Sequence, residues 1–327
     1  MSAFDRYSTT DDVLEGIDLA GKTVFITGGN SGLGKESARA MAAKGAHVVI
    51  AGRDQAKLDD AVMDIKAAHP DANVETIVCD LASLDSVRAG AAEANARFEQ
   101  IDLLINNAAV MACPKSHTAD GHELQFGTNH LGHFVLTKGL MPLIEKGHDK
   151  RIVNLSSRGH FMSDVDFDDP DFENRDYNEW VSYGQAKTAN ALFTVGLEQR
   201  FADKGIHALA VHPGGIQTNL GRHLSKDQEQ ALMDNITSSN PDFEWKNIPQ
   251  GAATQVWAAT APELKGTGGV YCEDCHVAQI DNESTKDGVR SYALDPEGAE
   301  RLWALSEELT GESFSAYTTR RGNPSAG

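Results

Sequence analysis

An α/β protein built on one doubly wound parallel sheet, with helices on both faces, is what three features of this 327-residue sequence predict. Short apolar runs alternate with helical stretches through most of the chain. The first run, Lys22-Thr23-Val24-Phe25-Ile26-Thr27, leads directly into a glycine-rich turn and a helix. Each polar or small-residue motif falls at the carboxyl end of a run, where sheets of this kind bind ligands.

The chain divides into a polar, aperiodic arm (1–18), one domain (19–311) and a tail (312–327) expected to be loose. After the first strand come Gly28, Gly29, Asn30, Ser31, Gly32, Leu33 and Gly34, followed by an Ala-rich helical run to Lys44. Such a turn lets the backbone approach a pyrophosphate and aims the positive end of the helix at it. A Rossmann-type dinucleotide site follows from those flanks. The second strand, His47–Ala51, ends in Gly52 and Arg53 where a dinucleotide fold reads the adenosine ribose. An acid there marks NAD(H). Arg53, with Lys35 beside the last turn glycine, favours NADP(H), because a guanidinium fork can bind the 2′-phosphate. The adjacent Asp54 keeps NAD(H) as the alternative.

A helix from Gln55 to Ala68 precedes a third strand, Val74–Cys79, with Asp80 and Leu81 at its end where an adenine would lie. Ser83 has the chemistry of a helix N-cap. The apolar run Ile101–Ile105 reads as a buried parallel strand, and the small residues of Asn106-Asn107-Ala108-Ala109 after it leave room for a cofactor. A helix over 124–143 carries Asn129, whose amide competes for backbone hydrogen bonds, so it either bonds backbone or faces solvent. Strand Arg151–Leu155 ends in Ser156 and Ser157, where a hydroxyl can hold a substrate oxygen.

The stretch between Ser157 and Tyr183 is rich in acids and aromatics but lacks the glycine and terminal glutamate of an EF-hand. Its aromatics and Met162 are expected to line a pocket. Tyr183 and Lys187, four residues apart on a helix, share one face. An ammonium beside a phenol favours the phenolate and draws the pKa toward the range acid–base catalysis needs. Strand Ile206–Val211 then closes in His212-Pro213-Gly214-Gly215-Ile216-Gln217-Thr218, a turn whose backbone can hold a nicotinamide carboxamide. Residues 219–245 read as a mobile flap over the site, with a packed helix as the alternative. A helix over Gly251–Thr260, a short strand at Gly269–Tyr271 and a helix over Pro296–Leu309 complete the domain.

A net charge of −19 argues against nucleic acid as partner. The sequence contains no apolar run of membrane-spanning length and no apolar signal core at Met1–Arg6, so a cytoplasmic protein is expected. Four cysteines are too few for a disulfide scaffold. Cys272-Glu273-Asp274-Cys275-His276 matches a haem-attachment pattern but reads as a strand end. His130 and His133 lack a second ligand pair for zinc.

The ordered motifs resemble the short-chain dehydrogenase/reductase family over Leu19 to Leu309. Thr27–Gly34 is its glycine turn, Asn106–Ala109 its Asn-Asn-Ala-Gly-like motif with Ala109 in place of glycine, and Tyr183–Lys187 its Tyr-x-x-x-Lys motif. The run 126–134, the Val153–Ser157 strand and Glu273–Cys275 are similar to the retinol-dehydrogenase-like branch. The resemblance implies Ser157 as catalytic serine, Tyr183 as acid/base, Lys187 as its activator and a bond to the nicotinamide ribose, and Asn129 in a water-linked proton relay. It implies NAD(P)-dependent interconversion of an apolar alcohol with its ketone or aldehyde. A cofactor-binding module without turnover is the competing reading. Self-association through the helices bearing Asn129 and Tyr183, and a monomer, both stay open.

Overall fold

The computed structural model describes residues 3–216, 220–221, 224–239 and 243–318. Its elements in chain order are α1 (Thr10–Val13), β1 (Thr23–Thr27), α2 (Gly32–Ala43), β2 (His47–Gly52), α3 (Gln55–Ala68), β3 (Asn73–Val78), α4 (Leu84–Arg97) and β4 (Leu103–Asn106). Then α5 (Leu124–Phe126) passes through a π-helical segment, Gly127–Leu131, into α6 (Gly132–Ile144). There follow β5 (Arg151–Leu155), α7 (Glu179–Phe201), β6 (His207–His212), α8 (Lys226–Ser239), α9 (Ile248–Thr260), β7 (Val270–Glu273), β8 (His276–Val277) and α10 (Pro296–Thr310).

The eight strands lie in the order β3-β2-β1-β4-β5-β6-β7-β8, parallel except for β8, which pairs antiparallel with β7. Chain order reverses between β1 and β4, and that switch point opens the crevice in which such sheets bind ligands. Side chains alternate across the sheet, as strand geometry requires. Phe25, Val49, Leu104 and Ile152 join one buried core with α4, α6, α7 and α10. Val24, Ile26, Val48, Ile105 and Val153 join the other with α2 and α9. Burial on both faces explains why these strands read as continuous apolar runs.

Both chain ends pack against the domain. In the N-terminal arm Thr9 and Asp12 form a capping box on α1, and Val13 and Leu14 are buried against the core. The tail is anchored over 312–318 by Phe314, which is buried, its ring 4.7 Å from that of Trp303 and 5.1 Å from that of Phe134. One aromatic residue in a polar stretch has no periodicity to announce it. The proposed flap contains a helix of 14 residues, α8. No helix among the described residues is long and apolar enough to cross a membrane.

Candidate active site

A cleft of about 1530 Å³ runs along the carboxyl ends of the parallel strands, from Arg53 at one end to Ser157 and Tyr183 at the other. Its floor begins with the glycine turn. Gly28 has φ +66°, and a Cβ there would lie 3.0 Å from Ala108. Leu33 and Ser31 line the cleft, and Ser31, the residue preceding α2, makes no side-chain cap. The first N–H groups of α2 therefore keep their affinity for an anion. Gly34 does not line the cleft. A Cβ at Gly34 would sit 2.3 Å from the Gly28 carbonyl oxygen, so this glycine closes the turn rather than touching a ligand. The cradle fits a pyrophosphate, with Gly28, Asn30, Ser31, Gly32 and Leu33 around it and Asn107, Ala108 and Ala109 opposite.

At the adenosine end, Arg53 is exposed to the cleft and its guanidinium has no partner among the described residues, whereas Asp54 is occupied. The Asp54 carboxylate accepts from Lys57 N–H at the start of α3 and faces the Lys57 ammonium at 3.8 Å. Lys35 is paired with Asp64 and so is less available to a phosphate than its sequence position implies. Asp80 and Leu81 line the cleft, and the Asp80 carboxylate accepts from Ala82 N–H at 3.0 Å.

At the other end the two predicted catalytic side chains meet over a glycine that sequence reading passed over. A Cβ at Gly159 would lie 2.7 Å from the Tyr183 ring and 3.4 Å from Ser157 Oγ. Burial pushes the Tyr183 phenol up to about 12, with Ser157 acting in the opposite direction through a hydrogen bond. Lys187 is pushed down to about 7 by burial; its ammonium donates to the Leu155 carbonyl at 3.1 Å and lies 5.6 Å from the centre of the Tyr183 ring. Desolvation thus sets the direction of the shift for both groups. Ser156 turns away, donating to the Lys187 carbonyl.

Asn129 does not line the cleft. Both halves of its amide bond the backbone of Val110, accepting from its N–H at 2.8 Å and donating to its carbonyl at 2.9 Å. This fixes the loop after β4 behind the site. The Asn129 backbone carbonyl, within the π-helical segment, is paired with His133 Nδ1 at 2.8 Å, and His133 Nε2 reaches Thr27 Oγ1 at 2.8 Å. Thr27 Oγ1 in turn accepts from the N–H groups of Asn107 and Ala108. Sequence reading set His133 beside His130 alone, and nothing in it linked His133 to Asn129 or Thr27. His130 is buried instead against Ser306 Oγ at 2.8 Å.

The turn after β6 brings Pro213, Gly214 and Ile216 to the cleft; Thr218 lies outside the described residues. Lys246 holds this turn. Its N–H donates to the Gly215 carbonyl at 2.9 Å, and its ammonium pairs with Asp274 at 2.5 Å. That pairing gives the Cys-x-x-Cys-His stretch a structural role, since Asp274 and Cys275 adopt positive φ and both cysteines are buried and free. Of the aromatic residues and the methionine between Ser157 and Tyr183, Met162 and Trp180 reach the cleft. Phe161, Phe167 and Phe172 do not; each is covered by an arginine, Arg290, Arg301 and Arg175 respectively. Leu224 and Met233 with Phe243 and Trp245 complete an apolar wall.

A sheet with this strand order and a glycine turn at its switch point defines a dinucleotide-binding fold. A family model described as "short chain dehydrogenase" matches residues 22–229. The chain is 39% identical over 321 residues to "Short-chain dehydrogenase TIC 32 B, chloroplastic" of Brassica napus, covering 94% of each. It is 38% identical over 301 residues to human "Retinol dehydrogenase 13", covering 90% of this chain and 86% of the relative. A solved structure described as a putative uncharacterized protein from Mycobacterium Paratuberculosis superposes with TM-score 0.69 at 34% identity, covering 91% of this chain and 96% of that one. The chain belongs to the short-chain dehydrogenase/reductase family, has retinol-dehydrogenase-like relatives, and is an oxidoreductase of the NAD(P)-binding class.

Proposed function

We propose that this protein interconverts an alcohol and its ketone or aldehyde, with NADP(H) as preferred cofactor and Tyr183 as acid/base. The observation that carries the reading is the convergence of Tyr183 and Ser157 over Gly159 at one end of a cleft whose other end is a pyrophosphate cradle. When bound, the nicotinamide cofactor supplies or accepts the hydride. In the reductive direction Ser157 Oγ hydrogen-bonds the substrate carbonyl oxygen and the Tyr183 phenol gives it a proton. A phenol held near 12 is fully protonated at neutral pH, as a donor must be. Oxidation reverses the step, with Tyr183 taking the proton. Lys187 has a role at the nicotinamide ribose, Pro213, Gly214, Ile216 and Thr218 at the carboxamide, and Asp80 with Leu81 at the adenine. Asn129 acts by fixing Val110 and takes part in a water-linked proton relay. The apolar wall favours a substrate with a hydrophobic body, and a cytoplasmic location belongs to the same proposal.

The preference for NADP(H) rests on the unpartnered Arg53 and the engaged Asp54. Removing a charge-assisted hydrogen bond costs roughly 1.5–3 kcal/mol, or about 10- to 100-fold in affinity. Arg53→Ala is therefore expected to weaken NADPH by that factor and leave NADH within about twofold. Equal weakening of both cofactors in a fluorescence titration would contradict the assignment.

A further inference from the structure

The side chain of Arg158 differs from almost every other arginine among the described residues. Arg6, Arg39, Arg88, Arg97, Arg151, Arg175, Arg200 and Arg290 each donate to a carboxylate or a carbonyl, and Arg301 covers the Phe167 ring. Among the described residues this leaves Arg53 and Arg158, whose guanidinium groups have no hydrogen bond, ion pair or aromatic face. Both line the same cleft, one at each end.

Arg158 follows Ser157 directly and opens the short helix Arg158–Met162. Its N–H is tied to His212 Nδ1 at 3.2 Å, which fixes the backbone from which the side chain leaves. The residue is half-buried. Its charge adds to burial in holding His160 and His212 below their ordinary range, so it acts on the ends of β5 and β6 beneath the site. Neither of those imidazoles offers a negative charge in return. The carboxylates that line the cleft are Asp54, Asp60, Asp64 and Asp80 along the cofactor cradle and Glu229 on α8, and none pairs with Arg158. A half-buried guanidinium in a cleft that Met162, Trp180 and Phe243 also line loses hydration without gaining a counter-charge among the described residues. A planar fork in that setting suits a carboxylate, which it can bind through two parallel hydrogen bonds.

We propose that Arg158 is a substrate-binding residue and that the substrate is an amphipathic acid: a hydroxy or oxo compound with an apolar body and one carboxylate. The inference rests on the oxidoreductase reading above and adds the charge of the substrate to it. Arg53 then takes the phosphate of the cofactor and Arg158 the anion of the substrate, while the wall of α8 and the Phe243–Trp245 segment takes the hydrophobic part.

The test uses the full chain saturated with NADPH and matched probes that differ only in charge. Binding of decanoate and methyl decanoate is followed by NADPH fluorescence, and reduction of 4-oxodecanoate and its methyl ester by absorbance. In the wild type the acid is expected to be favoured over the ester roughly 10- to 100-fold in both measurements, the worth of a charge-assisted pair. Arg158→Met should abolish that ratio, and Arg158→Lys, which keeps the charge but not the fork, should leave an intermediate one. A folded Arg158→Met protein in which acid and ester fall equally, or in which NADPH weakens as much as decanoate, overturns the assignment. Reduction of the ester with no preference for the acid overturns it too and leaves the oxidoreductase reading standing. An Arg158-dependent preference for decanoate without reduction of either oxo compound supports the anion site and counts against that reading.

Discussion

Tyr183→Phe should lower turnover by roughly 10²- to 10⁴-fold, the usual worth of a positioned acid or base, with NADPH affinity changed less than about twofold. The two readouts separate because the substitution removes one oxygen at the reacting end of the cleft and leaves the glycine cradle intact. The pH profile carries a further expectation. Burial pushes the Tyr183 phenol up to about 12, so the phenolate needed to accept a proton in alcohol oxidation is scarce at neutral pH. The oxidative rate of the wild type should therefore rise as pH increases toward that value, whereas the reductive rate, which needs the protonated phenol, should not. The Phe variant should lose the rise. A variant that keeps the wild-type rate would remove Tyr183 from the proton transfer.

Phe314→Ala should cost about 3–5 kcal/mol of stability, the range for emptying a buried aromatic site. Its ring packs against Trp303, Phe134 and Phe201, each of which belongs to the core under α6, α7 and α10. Urea denaturation measures the loss as a lower midpoint at unchanged slope. A loss under about 1 kcal/mol, as is typical of surface positions, would mean that the segment after α10 does not contribute to the core.

That residue also marks where sequence reading fell short. Strands β1, β2, β4 and β5 were legible because burial on both faces makes them mostly apolar, with polar residues such as Thr27, Asn106 and Arg151 mainly at their ends. Helix α3 was legible to the residue, with Asp54 as its N-cap. Phe314 and the buried Val13 and Leu14 were not, since isolated apolar residues in polar stretches carry no period. The same holds within the site. Ser157, Tyr183 and Lys187 stand at strand and helix positions that sequence identified, and the structure brings all three to one end of the cleft. Gly159 escaped notice because its need for a missing Cβ arises from the Tyr183 ring, 24 residues further along the chain. Spacing on a helix likewise reports the proximity of Lys187 to the phenol, but not the desolvation that both groups undergo on burial. Arg158 looked unremarkable in the sequence; among the described arginines, it and Arg53 alone lack a side-chain partner, and that sets it apart.

The central claim is that the cleft is a working NADP(H) site with its catalytic end at Tyr183. The most direct measurement is a fluorescence titration of the wild-type chain with NADPH and with NADH, repeated on Arg53→Ala. Both cofactors should bind saturably, NADPH more tightly by roughly 10- to 100-fold, with the difference lost in the variant. Tighter binding of NADH, or the absence of saturable binding by either cofactor, would contradict it.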